Sequence, residues 1–174
     1  MSGYRFDRLK ILLVDDNPHM RRLVSTILQA FGVAKICDAA DAKQAWSKLR
    51  EFSPDIVILD WMMSGTSGVK LTKMIRTEPS SPNPFVPIIM LTGHTNIDRV
   101  LEARDAGVNE FLAKPISVNA ILSRLLAIVE HPRPFVRTKS YFGPCRRRRD
   151  GHEYRGPERR SEQDAATPPI NAVA

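Results

Sequence analysis

Asp55-Ile-Val-Ile-Leu-Asp60 is a short, almost wholly apolar run, preceded by Pro54 and followed by polar, Gly-containing sequence. A strand buried on both faces of a parallel sheet has this composition, because helices cover both of its sides. Ligands of open α/β sheets collect outside the carboxyl ends of the strands, so the terminal carboxylate of Asp60 is expected where such sheets carry out chemistry.

Upstream, Lys10-Ile-Leu-Leu-Val14 is a second apolar run, ending in Asp15-Asp16, with Asn17-Pro18 as a helix start. Met20, Leu23, Val24, Ile27, Leu28 and Phe31 follow the spacing of one helical face, and Gly32 stands at its expected stop. Residues 34 to 37 make a short, weak strand. Asp41 caps a second helix with Ala42, Ala45, Trp46 and Leu49 inward, which Pro54 forbids from continuing.

Downstream of Asp60 lies the loop Trp61-Met-Met-Ser-Gly-Thr-Ser-Gly68, then a third helix to about Thr77 and a proline-rich connection over residues 79–84. Pro87 to Thr92 is the fourth strand. A fourth helix runs from about Asn96 to Asp105 with Ile97, Val100 and Leu101 inward. The fifth strand, Glu110 to Ala113, leads into Lys114-Pro115. A last helix carries Val118, Ile121, Leu122, Leu125, Leu126 and Val129 on one face, ended by Pro132 and Pro134.

Five strands alternating with five helices predict right-handed crossovers and a doubly wound parallel sheet in the order 2-1-3-4-5. The switch point then lies between strands one and three, which brings Asp15, Asp16 and Asp60 to one edge. Strands are about 4.8 Å apart, so three carboxylates there repel one another unless a cation joins them. Oxygen ligands without a nearby His or Cys point to a hard ion, and so few of them suit Mg2+. Thr92 and Lys114 end strands four and five at the same edge, supplying a hydroxyl and a cation of the kind that hold a transferring phosphoryl group. Asp60 then reads as a nucleophile that forms an acyl phosphate. Each residue alone has a plainer reading, since an Asp-Asp pair before a helix commonly caps it. The joint placement of the set carries the expectation.

In this set, residues 10–130 resemble the receiver domain of two-component response regulators, of the chemotaxis-regulator kind, standing alone with a basic tail. The family's acidic pair, phosphoacceptor Asp, Thr or Ser and Lys-Pro match Asp15, Asp16, Asp60, Thr92 and Lys114-Pro115 in order and spacing. The resemblance implies a flavodoxin-like (βα)5 fold. It also implies Mg2+ held by Asp15, Asp16, Asp60 and the backbone carbonyl of Met62. Asp60 would take phosphate from a sensor histidine kinase or a histidine phosphotransfer protein, Phe111 would change rotamer as Thr92 moves, and an unidentified output protein would read the result. Ser64 follows Met63 where the family often has proline, so a less rigid loop is expected. Met62 and His94 each follow a motif residue by two positions, where receivers tune dephosphorylation. An aspartate-nucleophile phosphatase is the alternative in another class, although it wants a second acid where Met62 stands. A flavodoxin-like binder of FMN fits less well, because an acidic corner repels phosphate.

The chain of 174 residues has room for one domain with a core and a tail. Residues 1–9 read as a lead-in, and residues 131–174 as an Arg/Pro/Gly-rich tail of little structure. No run reaches the roughly 18 apolar residues of a membrane span, and Cys37 and Cys145 suggest no disulfide framework, so a cytoplasmic protein is expected. The net charge of +7 is uneven: residues 1–130 hold 16 basic against 14 acidic side chains, and residues 131–174 hold 10 against 5. The tail repeats the pattern Tyr-x-Gly-Pro-x-Arg-Arg, as Tyr141, Gly143, Pro144, Arg146, Arg147 and again as Tyr154, Gly156, Pro157, Arg159, Arg160. Two copies suggest a linear protein-docking element. Arginines among Tyr141, Phe142 and Tyr154 also fit a single-stranded nucleic acid partner, though no nucleic-acid-binding module is visible.

Overall fold

The computed structural model describes residues 6–93 and 97–146. Five parallel strands, β1 (Lys10–Val14), β2 (Lys35–Ala39), β3 (Ile56–Asp60), β4 (Ile88–Thr92) and β5 (Glu110–Ala113), form one sheet in the order β2-β1-β3-β4-β5. The helices α1 (Pro18–Ala30), α2 (Ala42–Phe52), α3 (Gly68–Thr77), α4 (Ile97–Ala106) and α5 (Val118–Glu130) alternate with them. The expected topology is thus the observed one.

Sequence signals set the helix ends. The Asn17 side chain accepts from the N–H groups of His19 and Met20, Asp41 from Gln44, Ser67 from Lys70 and Ser117 from Ala120. Gly32, with φ +87, takes the left-handed conformation that follows α1, and the N–H of Val33 closes back on the Leu28 carbonyl.

Every residue of β3 and β4 is buried, and alternate side chains feed two cores. Leu13, Ile58 and Leu91 pack with Val24, Ile27 and Leu28 of α1 and Ile121, Leu125 and Ile128 of α5. Leu12, Val57 and Met90 pack with Leu49 of α2, Leu71 and Ile75 of α3 and Ala103 and Ala106 of α4. Phe6 and Leu9 of the lead-in are also buried.

Three expectations need correcting. Ile97 and Leu101 are 70% and 38% exposed, because α4 turns its small residues Ala103 and Ala106 to the core and leaves the larger apolar ones outside. Val118 is exposed at the first turn of α5, and Leu23 is exposed on α1. Packing the apolar face of α5 engages Ile121, Leu125 and Ile128 instead.

Structure also continues past Glu130. Two three-residue strands, β6 (Phe135–Arg137) and β7 (Phe142–Pro144), pair antiparallel and lie against the end of the domain opposite the acidic corner. Phe135 is fully buried, and its ring, with those of Phe85 and Phe142, forms a cluster with centroids 5.2 to 5.6 Å apart. Beneath it lies the buried Arg76. Its guanidinium donates to the carbonyls of Gly107 and Pro84 and to Asn109 Oδ1, and stacks 5.0 Å from the Phe135 centroid. Burial pushes Arg76 down to about 9, which still leaves it charged at neutral pH.

The first Tyr-x-Gly-Pro-x-Arg-Arg copy belongs to this hairpin. Tyr141 donates to the Pro144 carbonyl, Gly143 lies so close to the Gly107 Cα that a side chain there has no room, and Arg146 covers the Tyr141 ring while pairing with Asp105. Tyr141, Gly143, Pro144 and Arg146 are therefore folded against the domain rather than presented as an extended docking peptide. Of the tail aromatics expected to stack on bases, the two within the described residues are engaged internally, Tyr141 by Arg146 and Phe142 by Arg137. Arg147, Tyr154, Gly156, Pro157, Arg159 and Arg160 lie outside the described residues. Phe135→Ala should therefore cost about 3–5 kcal/mol in urea denaturation, the range for a buried aromatic; a change within experimental error would show that the hairpin adds nothing to the fold.

Candidate functional site: an acidic corner closed by one lysine

The β1–β3 register pairs Val14 with Leu59, which sets Asp15 level with Asp60 just beyond the strand ends. The β3–β4 register pairs Asp60 with Leu91, so Thr92 stands at the same edge. The N–H of Lys114 donates to the Thr92 carbonyl at 2.8 Å and brings the lysine over from β5. The Lys114-Pro115 peptide is cis. Topology alone thus collects Asp15, Asp16, Asp60, Thr92 and Lys114.

Asp15, Asp60 and Thr92 are buried, at 3%, 5% and 5% exposure. Lys114 Nζ lies 2.8 Å from Asp60 Oδ1 and 3.6 Å from Asp15 Oδ2. Burial raises the Asp60 carboxyl above the ordinary range, with the Asp15 charge adding to it, and the Lys114 contact only partly offsets this. Burial works against the Lys114 ammonium, but Asp60 and Asp15 together outweigh it and hold its pKa above the usual value. Asp16 is held below the usual range by hydrogen bonds from the Ser64 side chain and backbone.

Each of the three carboxylates offers an oxygen within 4.8 Å of the others'. Asp15 Oδ2 is buried and, among the described residues, accepts no hydrogen bond. A buried oxygen left in that condition, among oxygen ligands alone, fits a hard divalent ion such as Mg2+. The capping explanation of the acidic pair falls away, since Asn17 caps α1 and Asp15 Oδ1 accepts the Asn17 N–H instead.

Met62 follows in the β3–α3 loop, its side chain 61% exposed. Phe111 lies on β5, partly buried against the core on the α2–α4 side. His94 lies outside the described residues. The contacts of three residues at the site escaped the sequence reading. Arg21 donates to the Asp15 carbonyl at 2.7 Å and pairs with Asp38, fixing the backbone that carries the acidic pair. Gly68 lies against the Asp60 carbonyl, where any Cβ would clash. Ser64, far from adding slack, binds Asp16 twice, at 2.8 and 2.7 Å. A Gly at the start of α3 was a visible signal for close approach; the other two depend on tertiary placement.

The response regulator receiver domain family matches residues 11–126. The chain belongs to that family. It is 34% identical to chemotaxis protein CheY-3 of Vibrio cholerae over 122 residues, 70% of this chain and 92% of that one. It is 30% identical to the phosphate regulon transcriptional regulatory protein PhoB of Pseudomonas aeruginosa, covering 71% of this chain but 53% of PhoB, so it spans about half the length of that relative. The solved structure of Vibrio cholerae chemotaxis protein CheY4 superposes with a TM-score of 0.64 at 32% identity, over 69% of this chain and 98% of that one. Among the described residues, no helix is long and apolar enough to cross a membrane.

In a receiver corner of this build, Lys114 is the cation that makes the buried Asp60 tolerable. Lys114→Ala should lower stability by about 1–3 kcal/mol at neutral pH, as an orphaned buried polar group does. The raised Asp60 pKa fixes the sign: the deficit should shrink as pH falls through it, because a protonated Asp60 needs no lysine. A deficit independent of pH in urea melts would show that the lysine acts by packing alone.

Proposed function

We propose that this receiver accepts a phosphoryl group on Asp60 from a histidine kinase or a histidine phosphotransfer protein, with Mg2+ as the resident ion, and signals through a phosphorylation-dependent protein contact. The observation that carries the proposal is Lys114 Nζ at 2.8 Å from Asp60 Oδ1, beside a buried Asp15 oxygen that, among the described residues, accepts no hydrogen bond. A nucleophile, a cation for the developing charge and an oxygen site for a divalent ion meet within one strand spacing.

A carboxylate oxygen of Asp60 attacks phosphorus, forming the P–O bond as the P–N bond of a phosphohistidine breaks and the imidazole leaves with its electron pair. Lys114, held charged by its two carboxylates, then shifts from the carboxylate to a phosphoryl oxygen. Thr92, one residue beyond the Asp60 register position, is placed to donate to another. The ligands for Mg2+ would be Asp15, Asp16, Asp60 and the Met62 backbone carbonyl, and the bound ion would supply charge neutralisation at the equatorial oxygens. Phe111 is proposed to change rotamer as Thr92 moves.

Ile97 and Leu101, exposed four residues apart on α4, support an output contact on that helix, since large apolar residues left in water favour an interface. The phosphatase alternative lacks its second acid, Met62 standing two residues after Asp60.

Acetyl phosphate with MgCl2 tests the proposal by intact-mass measurement. One acid-labile phosphoryl adduct is expected, absent in Asp60→Asn and not formed when EDTA is present from the start. Multiple turnover of phosphate esters would instead favour the enzyme, and an adduct that persists in Asp60→Asn would remove Asp60 from the role.

A further inference from the structure

The β3–α3 loop leaves the family pattern at Ser64, and the two bonds made there are not used by phosphoryl transfer itself. Both the N–H and the hydroxyl of Ser64 donate to the same oxygen, Asp16 Oδ2. The turn continues through Gly65, whose φ of +85 lies in the left-handed region that favours glycine. Proline, with no N–H and no hydroxyl, can make neither bond.

We infer that Ser64 is a positioning residue for the divalent ion, fixing the Asp16 carboxylate and tying the loop that carries the Met62 carbonyl to the end of β1. The inference rests on the phosphoacceptor reading of this corner. Asp16 is only partly buried, unlike Asp15 and Asp60, so its side chain has rotational freedom that ion binding has to remove. Two donors on Oδ2 remove it beforehand and leave the other oxygen, with its lone pairs, open to a ligand. Mg2+ demands near-octahedral geometry, which makes its affinity sensitive to such placement. Groups that hydrogen-bond a metal ligand from behind typically contribute about 10–100-fold in metal affinity.

The full chain titrated with MgCl2, followed by the fluorescence of Trp61 next to Asp60, tests this. Ser64→Ala keeps the N–H and should bind about tenfold more weakly; Ser64→Pro should bind more weakly still. Ser64→Thr restores the hydroxyl at an exposed position and should match the wild type. Because the lost hydrogen bond is solvent-exposed, the urea midpoint of Ser64→Ala without Mg2+ should fall only slightly, separating ion positioning from general stability. Equal affinity in wild type and Ser64→Ala overturns the inference, and so does tighter binding in Ser64→Ala, which would make the hydroxyl a competitor. A wild type that does not respond to Mg2+ overturns both this inference and the phosphoacceptor reading, whereas a responsive wild type with an indifferent Ser64 overturns the inference alone.

Discussion

Two buried carboxylates on adjacent strands, held by one lysine, are the constraint around which this domain is arranged. Unit charges about 4 Å apart interact by about 4 kcal/mol at the effective dielectric of a protein surface, several times the value in water. Asp15 and Asp60 are level because β1 and β3 are neighbours in register, and burial of Asp60 amplifies their repulsion. The fold supplies Lys114 from β5, two strands away from β3, through a single backbone hydrogen bond to Thr92. That arrangement leaves the corner receptive to further positive charge.

The opposite end of the sheet is built on another principle. There a charged side chain is satisfied entirely by neutral acceptors: Arg76 binds the carbonyls of Gly107 and Pro84 and the amide of Asn109, under the Phe135 ring. Neutral acceptors satisfy the donors of the guanidinium and only partly offset its desolvation, which still lowers its pKa. One end is thus poised to exchange partners and the other is locked. Among the described residues, the hairpin packs at the locked end, away from the acidic corner.

Much of this was legible in the sequence for definite physical reasons. The runs at Lys10–Val14, Ile56–Asp60 and Ile88–Thr92 are apolar on both faces, which only a sheet covered twice explains, and Asn17, Asp41 and Gly32 punctuate the helices by short-range chemistry. Once the strand order was fixed, the meeting of Asp15, Asp60, Thr92 and Lys114 followed from connectivity. What escaped depends on contacts between distant segments. Strands β6 and β7 have three residues each, too few for any periodic signal, and are held by Phe85, some fifty residues earlier in the chain. Arg76 looks like a solvated helix residue until Gly107 and Asn109 are brought beside it. The exposure of Ile97 and Leu101 was hidden because α4 buries alanines, whose small size lets the helix lie close to α3 while its larger residues point away.

The tail repeat gains a physical meaning from the hairpin. Of the first copy's shared residues, Tyr141, Gly143, Pro144 and Arg146 make the turn's own contacts: phenol to carbonyl, glycine against Gly107, guanidinium over the ring and onto Asp105. Within the repeat, the residue that joins Phe135 in anchoring the hairpin is Phe142, and the second copy has Arg155 at that position. A charged side chain cannot replace a ring packed against Phe85 and Phe135 without losing that burial. The second copy therefore repeats the sequence of the turn without the apolar residue that Phe142 contributes in the first.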